Sequence, residues 1–158
     1  MLVVLKKFNR VRICVDYRAL NESMLQKVHP LPKGHALAQM AEPTVFSKFD
    51  ANCGFWQIPL SESCQKLTTF ITPFGRYYFK QLPFGICCAP GHFQCRMSPI
   101  LAGNDGVLCH IDDVSIFGRD HDEHDTRLRA ALHTIQEAGV TLNPEKCENI
   151  TKLWRFMA

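Results

Sequence analysis

Apolar and polar positions alternate in residues 11–17, VRICVDY, and the β-branched residues there predict a strand. The following DYRALNESML turns towards a short helix or a loop. HPLPKG is proline-rich punctuation, and ALAQMAEP predicts a short helix that stops before Pro43. VFSKFDA predicts a second strand, with GFWQIPL opening a loop or helix after it. KLTTFITPFGRYYFKQLPFG reads as two short strands joined at a Pro-Phe-Gly turn. APGHFQCRMSPIL, residues 89–101, changes to a helical pattern behind a proline start. Val107–Ile111 and Val114–Phe117 predict a hairpin with its tight turn at Asp112 and Asp113. HDEHDTRLRAALHTIQEAG is the clearest helix: acids gather at its start, apolar residues recur at helical spacing, and Gly139 closes it. VTLNPEKCE follows as a strand and turn. Interleaved helices and strands place the chain in the α+β or α/β class.

Composition narrows this only a little. The 158 residues suffice for about one domain, and 46% hydrophobic content is that of a globular chain. The net charge of +3 does not by itself argue for a nucleic-acid partner. No apolar run is long enough to span a membrane, and MLVVLKKF is too short for the core of a signal peptide. The even set of 8 cysteines invites a disulfide framework. With no secretion signal and several cysteines inside apolar runs, the expectation is reduced thiols in an intracellular protein. Cys87, Cys88, His92 and Cys95 lie close in sequence, but their spacing matches no common zinc pattern.

The acids in VLCHIDDVSIFG raise a sharper question, because a carboxylate inside an apolar run is costly unless it is paired or binds a metal. Asp50 ends another apolar strand, 62 positions before Asp112. If the two strand ends are neighbours, Asp50, Asp112 and Asp113 converge, and a divalent cation would relieve their repulsion. Mg²⁺ suits such oxygen ligands, and two ions side by side serve phosphoryl transfer. The alternative at this level is ordinary Asp-Asp turn chemistry.

Five ordered blocks go further: RICVDYRALNE, FDANCGFWQIPL, TTFITPFGRYYFKQLPFGICCAPGHFQ, HIDDVSIFG and VTLNPEKCE. Over residues 1–150 they resemble the fingers and palm of reverse transcriptases, those of gypsy-like LTR retrotransposons above all. The resemblance implies an α+β polymerase palm, a central antiparallel sheet backed by helices, plus a partial fingers subdomain. Fingers would occupy 1–45, and palm 46–158 with a fingers segment interleaved around 61–82. It implies RNA-directed DNA polymerase activity on an RNA or DNA template with a primer, using dNTP, with Mg²⁺ or Mn²⁺ as cofactor. Asp50, Asp112 and Asp113 match the catalytic acids; the first two would bind metal, with the carbonyl of Ala51, and Asp113 acts less directly. Phe55 matches the bulky residue under the incoming sugar, where a ring excludes a 2′-OH. Arg12, and Lys6 or Lys7, match triphosphate-gripping residues of the fingers. Leu82–Gly85 match the lining of the nucleotide pocket, with Phe84 where retroviral enzymes carry Gln. Gln94 would contact the template or hold the palm, and Lys146 lies near a lysine proposed as general acid. Asp16 and Arg18 would support the fingers.

Two departures stand out. His110 replaces the Tyr of the Tyr-x-Asp-Asp box beside the primer end, and His92 and Cys95 are unusual in their helix. The chain ends at Ala158, before a thumb block, so the expectation is a fragment of a Pol polyprotein whose remainder supplies protease, RNase H and integrase. The expected setting is the cytoplasm, in virus-like particles, or the nucleus, with no membrane partner. A catalytically silent module that only binds nucleic acid or a partner is the alternative. A metal-dependent nuclease is a weaker third reading, because it leaves Phe55 and LPFG without a purpose.

Overall fold

A computed structural model describes residues 2–5, 11–25 and 45–151. The chain divides into two compact units, one built from the described parts of 1–28 with 55–90, the other from those of 29–54 with 91–158. The helix expected in ALAQMAEP lies outside the described residues.

The first unit holds two small antiparallel pairs. β1 (Leu2–Leu5) pairs with β2 (Val11–Cys14), and β4 (Phe70–Thr72) with β5 (Gly75–Tyr77), as the Pro-Phe-Gly signal predicts. β1 falls in the opening MLVVL, which carries too little alternation to be read as a strand. Between β2 and the second pair lie α1 (Arg18–Glu22) and α2 (Glu62–Leu67). Lys66 and Leu67 close α2 rather than opening the hairpin, because Thr68 Oγ1 turns back to the carbonyl of Gln65 at 2.6 Å and ends the helix. Tyr17 is buried with its hydroxyl donating to the Thr68 carbonyl, and burial pushes its phenol up to about 12. Asn21 is a clasp: its side chain donates to the Gly85 carbonyl and accepts from the Cys87 N–H, both at 2.9 Å.

The second unit is a four-stranded antiparallel sheet in the order β6-β7-β3-β8, with β3 Val45–Asp50, β6 Val107–His110, β7 Asp113–Gly118 and β8 Glu148–Thr151. Side chains alternate between faces along a strand, and directly paired residues share a face. Val45, Ser47 and Phe49 therefore lie with Gly118, Ile116 and Val114, and Phe46, Lys48 and Asp50 with Phe117, Ser115 and Asp113. The second face is apolar at one end, where the Phe46 and Phe117 rings stand 6.3 Å apart, and charged at the other.

Two helices back this sheet. α3 (Ala89–Leu101) buries Phe93, Gln94 and Met97. α4 (His121–Glu137) begins where the acids predict: Asp120 accepts from the Glu123 N–H at 2.8 Å, and Asp122 and Glu123 sit in the positive first turn. It ends with Gly139 at φ +69, whose N–H and that of Val140 satisfy the carbonyls of Gln136 and Ile135. α4 buries His124, Ala131 and Ile135. His124 Nε2 pairs with Ser47 Oγ at 2.9 Å, which satisfies both fully buried groups. Gly118 permits the approach, since a Cβ there would stand 2.6 Å from the His124 backbone nitrogen. All eight cysteines carry free thiols. Among the described residues no helix is long and apolar enough to cross a membrane.

Candidate active site

The β6–β7 hairpin pairs His110 with Asp113, so its two-residue turn is Ile111–Asp112, and Asp113 is already in the strand. The turn therefore sits one residue earlier than the sequence suggests. Ile111 takes the left-handed conformation at φ +56, unfavourable for a β-branched residue, and the surroundings hold it there. Gln94, only 1% exposed, accepts from the Ile111 N–H at 2.7 Å and donates to the Cys109 carbonyl at 3.0 Å. The Gln94 amide is thus buried in the hairpin. A third tie runs from the Ala51 N–H to the Asp112 carbonyl at 2.8 Å.

These bonds bring the three acids together. Asp50 and Asp113 are direct partners on β3 and β7, which places like charges opposite one another. Each has a lysine. Lys48 Nζ reaches Asp113 Oδ2 at 3.1 Å, and Lys146 Nζ spans both Asp50 oxygens at 2.9 and 2.8 Å. Asp112 has no such relief: its Oδ1 is buried with no hydrogen-bond partner. Burial, then the charges of Asp50 and Asp113, push its carboxyl above the usual range, against the pull of Lys146. The Lys146 ammonium is pushed up, chiefly by its hydrogen bonds to Asp50.

Two features here, Lys48 and Gly54, carry no signal in the linear pattern, and a third, Lys146, is picked out by the resemblance alone. Lys48 is on the strand but reads as a solvated charge. Gly54 lets the chain pass over the acid: a Cβ there would be 2.7 Å from Asp112 Oδ1 and 2.9 Å from the Phe93 ring. Lys146 owes its place to backbone pairing. Ala51 bridges Leu142, Asn52 N–H donates to Thr141, and Asn143 N–H donates to the Asp50 carbonyl at 2.8 Å. A short 3-10 turn, Pro144–Lys146, then carries the lysine back over Asp50.

Among the described residues no three His, Cys, Asp or Glu side chains are grouped closely enough to hold an ion. Lys48 and Lys146 each hold one of the carboxylates instead. The donor chemistry still fits a hard cation, which takes one or two carboxylates and completes its shell with other oxygens. Asp50 and Asp112 supply those carboxylates, and the orphaned Asp112 oxygen is the one for which the protein provides no partner.

The remaining expected residues are spread over both units. His110 is exposed at the end of β6. Phe55 is buried, 5.4 Å from the Phe84 ring, and Phe84 also meets Trp56 at 5.7 Å. Gly85 takes φ +97 beside Tyr17. Asp16 and Arg18 form an exposed ion pair at 2.6 Å, and the guanidinium holds the Asp16 carboxyl down at about 2. Arg12 lies on β2 opposite Val4, its side chain outside the described residues, as are Lys6 and Lys7.

Residues 4–157 match the family described as Reverse transcriptase (RNA-dependent DNA polymerase). Over 154 residues the chain is 33% identical to the enzymatic polyprotein of figwort mosaic virus (strain DxS), covering 96% of this chain and 23% of that protein. Over 138 residues it is 36% identical to the retrovirus-related Pol polyprotein from transposon opus of Drosophila melanogaster, covering 85% and 14%. The solved prototype foamy virus protease-reverse transcriptase (CSH mutant, selenomethionine-labelled) superposes with a TM-score of 0.84 at 25% identity, covering 93% of this chain and 20% of that one. The chain thus spans less than a quarter of the length of each.

Proposed function

Because the chain belongs to the reverse transcriptase (RNA-dependent DNA polymerase) family, we propose that the acids at the β6–β7 turn and the end of β3 are its nucleotidyl-transfer centre. The reaction is attack of a primer 3′-OH on the α-phosphate of a dNTP, forming the new P–O bond and releasing pyrophosphate. Asp50 and Asp112, with the backbone carbonyl of Ala51, would hold Mg²⁺, or Mn²⁺ in its place. Bound there, the ions supply the positive charge that activates the hydroxyl and neutralises the leaving group. Asp113 supports Asp50 from the neighbouring strand.

The other roles follow the resemblance. Phe55 blocks a 2′-OH, and Phe84 and Gly85 line the nucleotide pocket. Arg12 and Lys7 meet the triphosphate, and His110 stands near the primer end. The partners are a primed RNA or DNA template, dNTP, and the rest of a Pol polyprotein with its protease, RNase H and integrase. Such a polyprotein works in the cytoplasm, within virus-like particles, and in the nucleus.

The observation that carries this reading is the buried Asp112 oxygen, left without a partner between two other carboxylates. It is tested by primer extension on an RNA template with dNTPs and Mg²⁺, with Asp112→Asn alongside. The wild type extends and the variant, folded and still binding primer–template, does not. His110 in the place of Tyr favours a second reading, a silent module that binds without extending. Binding by both proteins with extension by neither would select it.

A further inference from the structure

Lys146 is seated on Asp50 by design of the backbone. The Ala51–Leu142 bridge and the Asn143 N–H on the Asp50 carbonyl fasten residues 141–143 along the end of β3. The 3-10 turn adds two bonds of its own, Glu145 N–H to Asn143 Oδ1 at 3.1 Å and Lys146 N–H to the Asn143 carbonyl at 3.1 Å. The ammonium then engages both Asp50 oxygens, leaving neither without a cationic partner. Asp50 is mostly buried, with 16% of its side chain exposed, whereas 59% of the Lys146 side chain is exposed. The lysine therefore has a route into solvent that the carboxylate lacks.

Resting on the metal-site reading above, we propose that Lys146 is a built-in counter-cation. It occupies the oxygens of Asp50 that a divalent ion needs, and that ion binds by displacing it. The lysine thereby keeps a pair of facing carboxylates tolerable in the folded chain and sets how tightly the site takes metal.

The test is Mn²⁺ binding, followed from the free-ion signal in electron paramagnetic resonance, on the whole chain and without nucleotide. Lys146→Met removes the competing charge and keeps the aliphatic stem, and Lys146→Arg keeps the charge. The Met variant is expected to bind Mn²⁺ about three- to tenfold more tightly, the scale of a lost ion pair with repulsion added, and the Arg variant close to wild type. Circular dichroism checks folding, with Lys146→Gln as the second neutral variant should Met misfold. Equal or weaker binding by the neutral variant overturns the inference while leaving the metal site standing. Binding that Asp112→Asn does not weaken, or no binding by any protein, overturns the metal-site reading and this inference with it.

Discussion

Asp112→Asn is expected to make the chain more stable while removing its chemistry. In the folded state the carboxylate has one buried oxygen without a partner, lies near Asp50 and Asp113, and has no lysine of its own. A buried unsatisfied polar atom costs about 1–3 kcal/mol. Asp112 is only half-buried and Lys146 offsets part of the repulsion, so screening brings the figure down to about 1–2 kcal/mol. The folded carboxyl binds its proton more tightly than the unfolded one. The penalty is therefore fully present above the raised folded value and disappears as pH falls to the ordinary 3.8. Asn keeps a polar atom at that place but carries no charge, so the repulsion from Asp50 and Asp113 and the cost of burying the charge are gone. For a chain of this length each kcal/mol moves Tm by about 2–4 °C, so the variant should melt roughly 3–6 °C higher near neutral pH. The assay is thermal unfolding in EDTA near neutral pH and again near pH 4, close to the ordinary carboxyl value of 3.8, then at neutral pH with Mn²⁺ added. The gap should narrow at the lower pH, and Mn²⁺ should raise the wild type more than the variant. A variant that melts lower in EDTA, or a gap indifferent to pH, refutes the account of Asp112 as a frustrated acid.

Gln94→Leu leaves the Ile111 N–H and the Cys109 carbonyl unpaired, and urea unfolding should show a loss of about 2–4 kcal/mol with primer extension reduced as the turn loosens. Gly54→Ala puts a methyl 2.7 Å from Asp112 Oδ1, so chemical denaturation should register about 1–3 kcal/mol of overpacking, and Mn²⁺ affinity should fall as the carboxylate is pushed aside. The Cys109 thiol is held up at about 12 by burial and then by Asp112 and Asp113, so a maleimide at mildly alkaline pH should label the exposed Cys53, Cys64, Cys87 and Cys95 and spare Cys109, as read by peptide mass.

How much of this was legible in the sequence depended on the range of the interaction. β3, β6, β7 and α4 announce themselves because period and capping are local: aromatic and β-branched runs for the strands, Asp120 and Gly139 at the ends of the long helix. The acids were legible for the opposite reason, since charge in an apolar run is anomalous and asks for a partner. What joins distant segments left no trace. Asn21 clasps Gly85 and Cys87 across 64 and 66 positions, and nothing in RALNE separates that asparagine from a solvated one. α2 was missed because its six residues, ESCQKL, hold too little periodicity to outweigh the strand pattern that follows. The turn was placed one residue late because Asp is the better turn former. In the fold, Gln94 overrides that preference by pinning Ile111 at a positive φ.

The same distinction explains how a small sheet can carry three acids. Each face of β3 does a separate job. On one, Ser47 and Phe49 are buried, with the bond from Ser47 to His124 of α4 satisfying the polar groups there. On the other, the row Phe46, Lys48, Asp50 runs from apolar to charged against Phe117, Ser115, Asp113. The aromatic end anchors the strands, so the register at the charged end cannot slip without burying a lysine or exposing Phe46. Asp50 and Asp113 therefore stay opposed despite their repulsion, and the opposition is what attracts cations: Lys48 and Lys146 in this structure, and divalent metal in the proposed reaction. Weakening the anchor should therefore loosen the acids before the fold is lost. Phe46→Leu, a modest repacking of about 1 kcal/mol, should lower Mn²⁺ affinity severalfold while Tm falls by only about 2–4 °C. A variant that keeps full affinity while losing stability would show instead that the acids are positioned by the turn and by Gln94 alone.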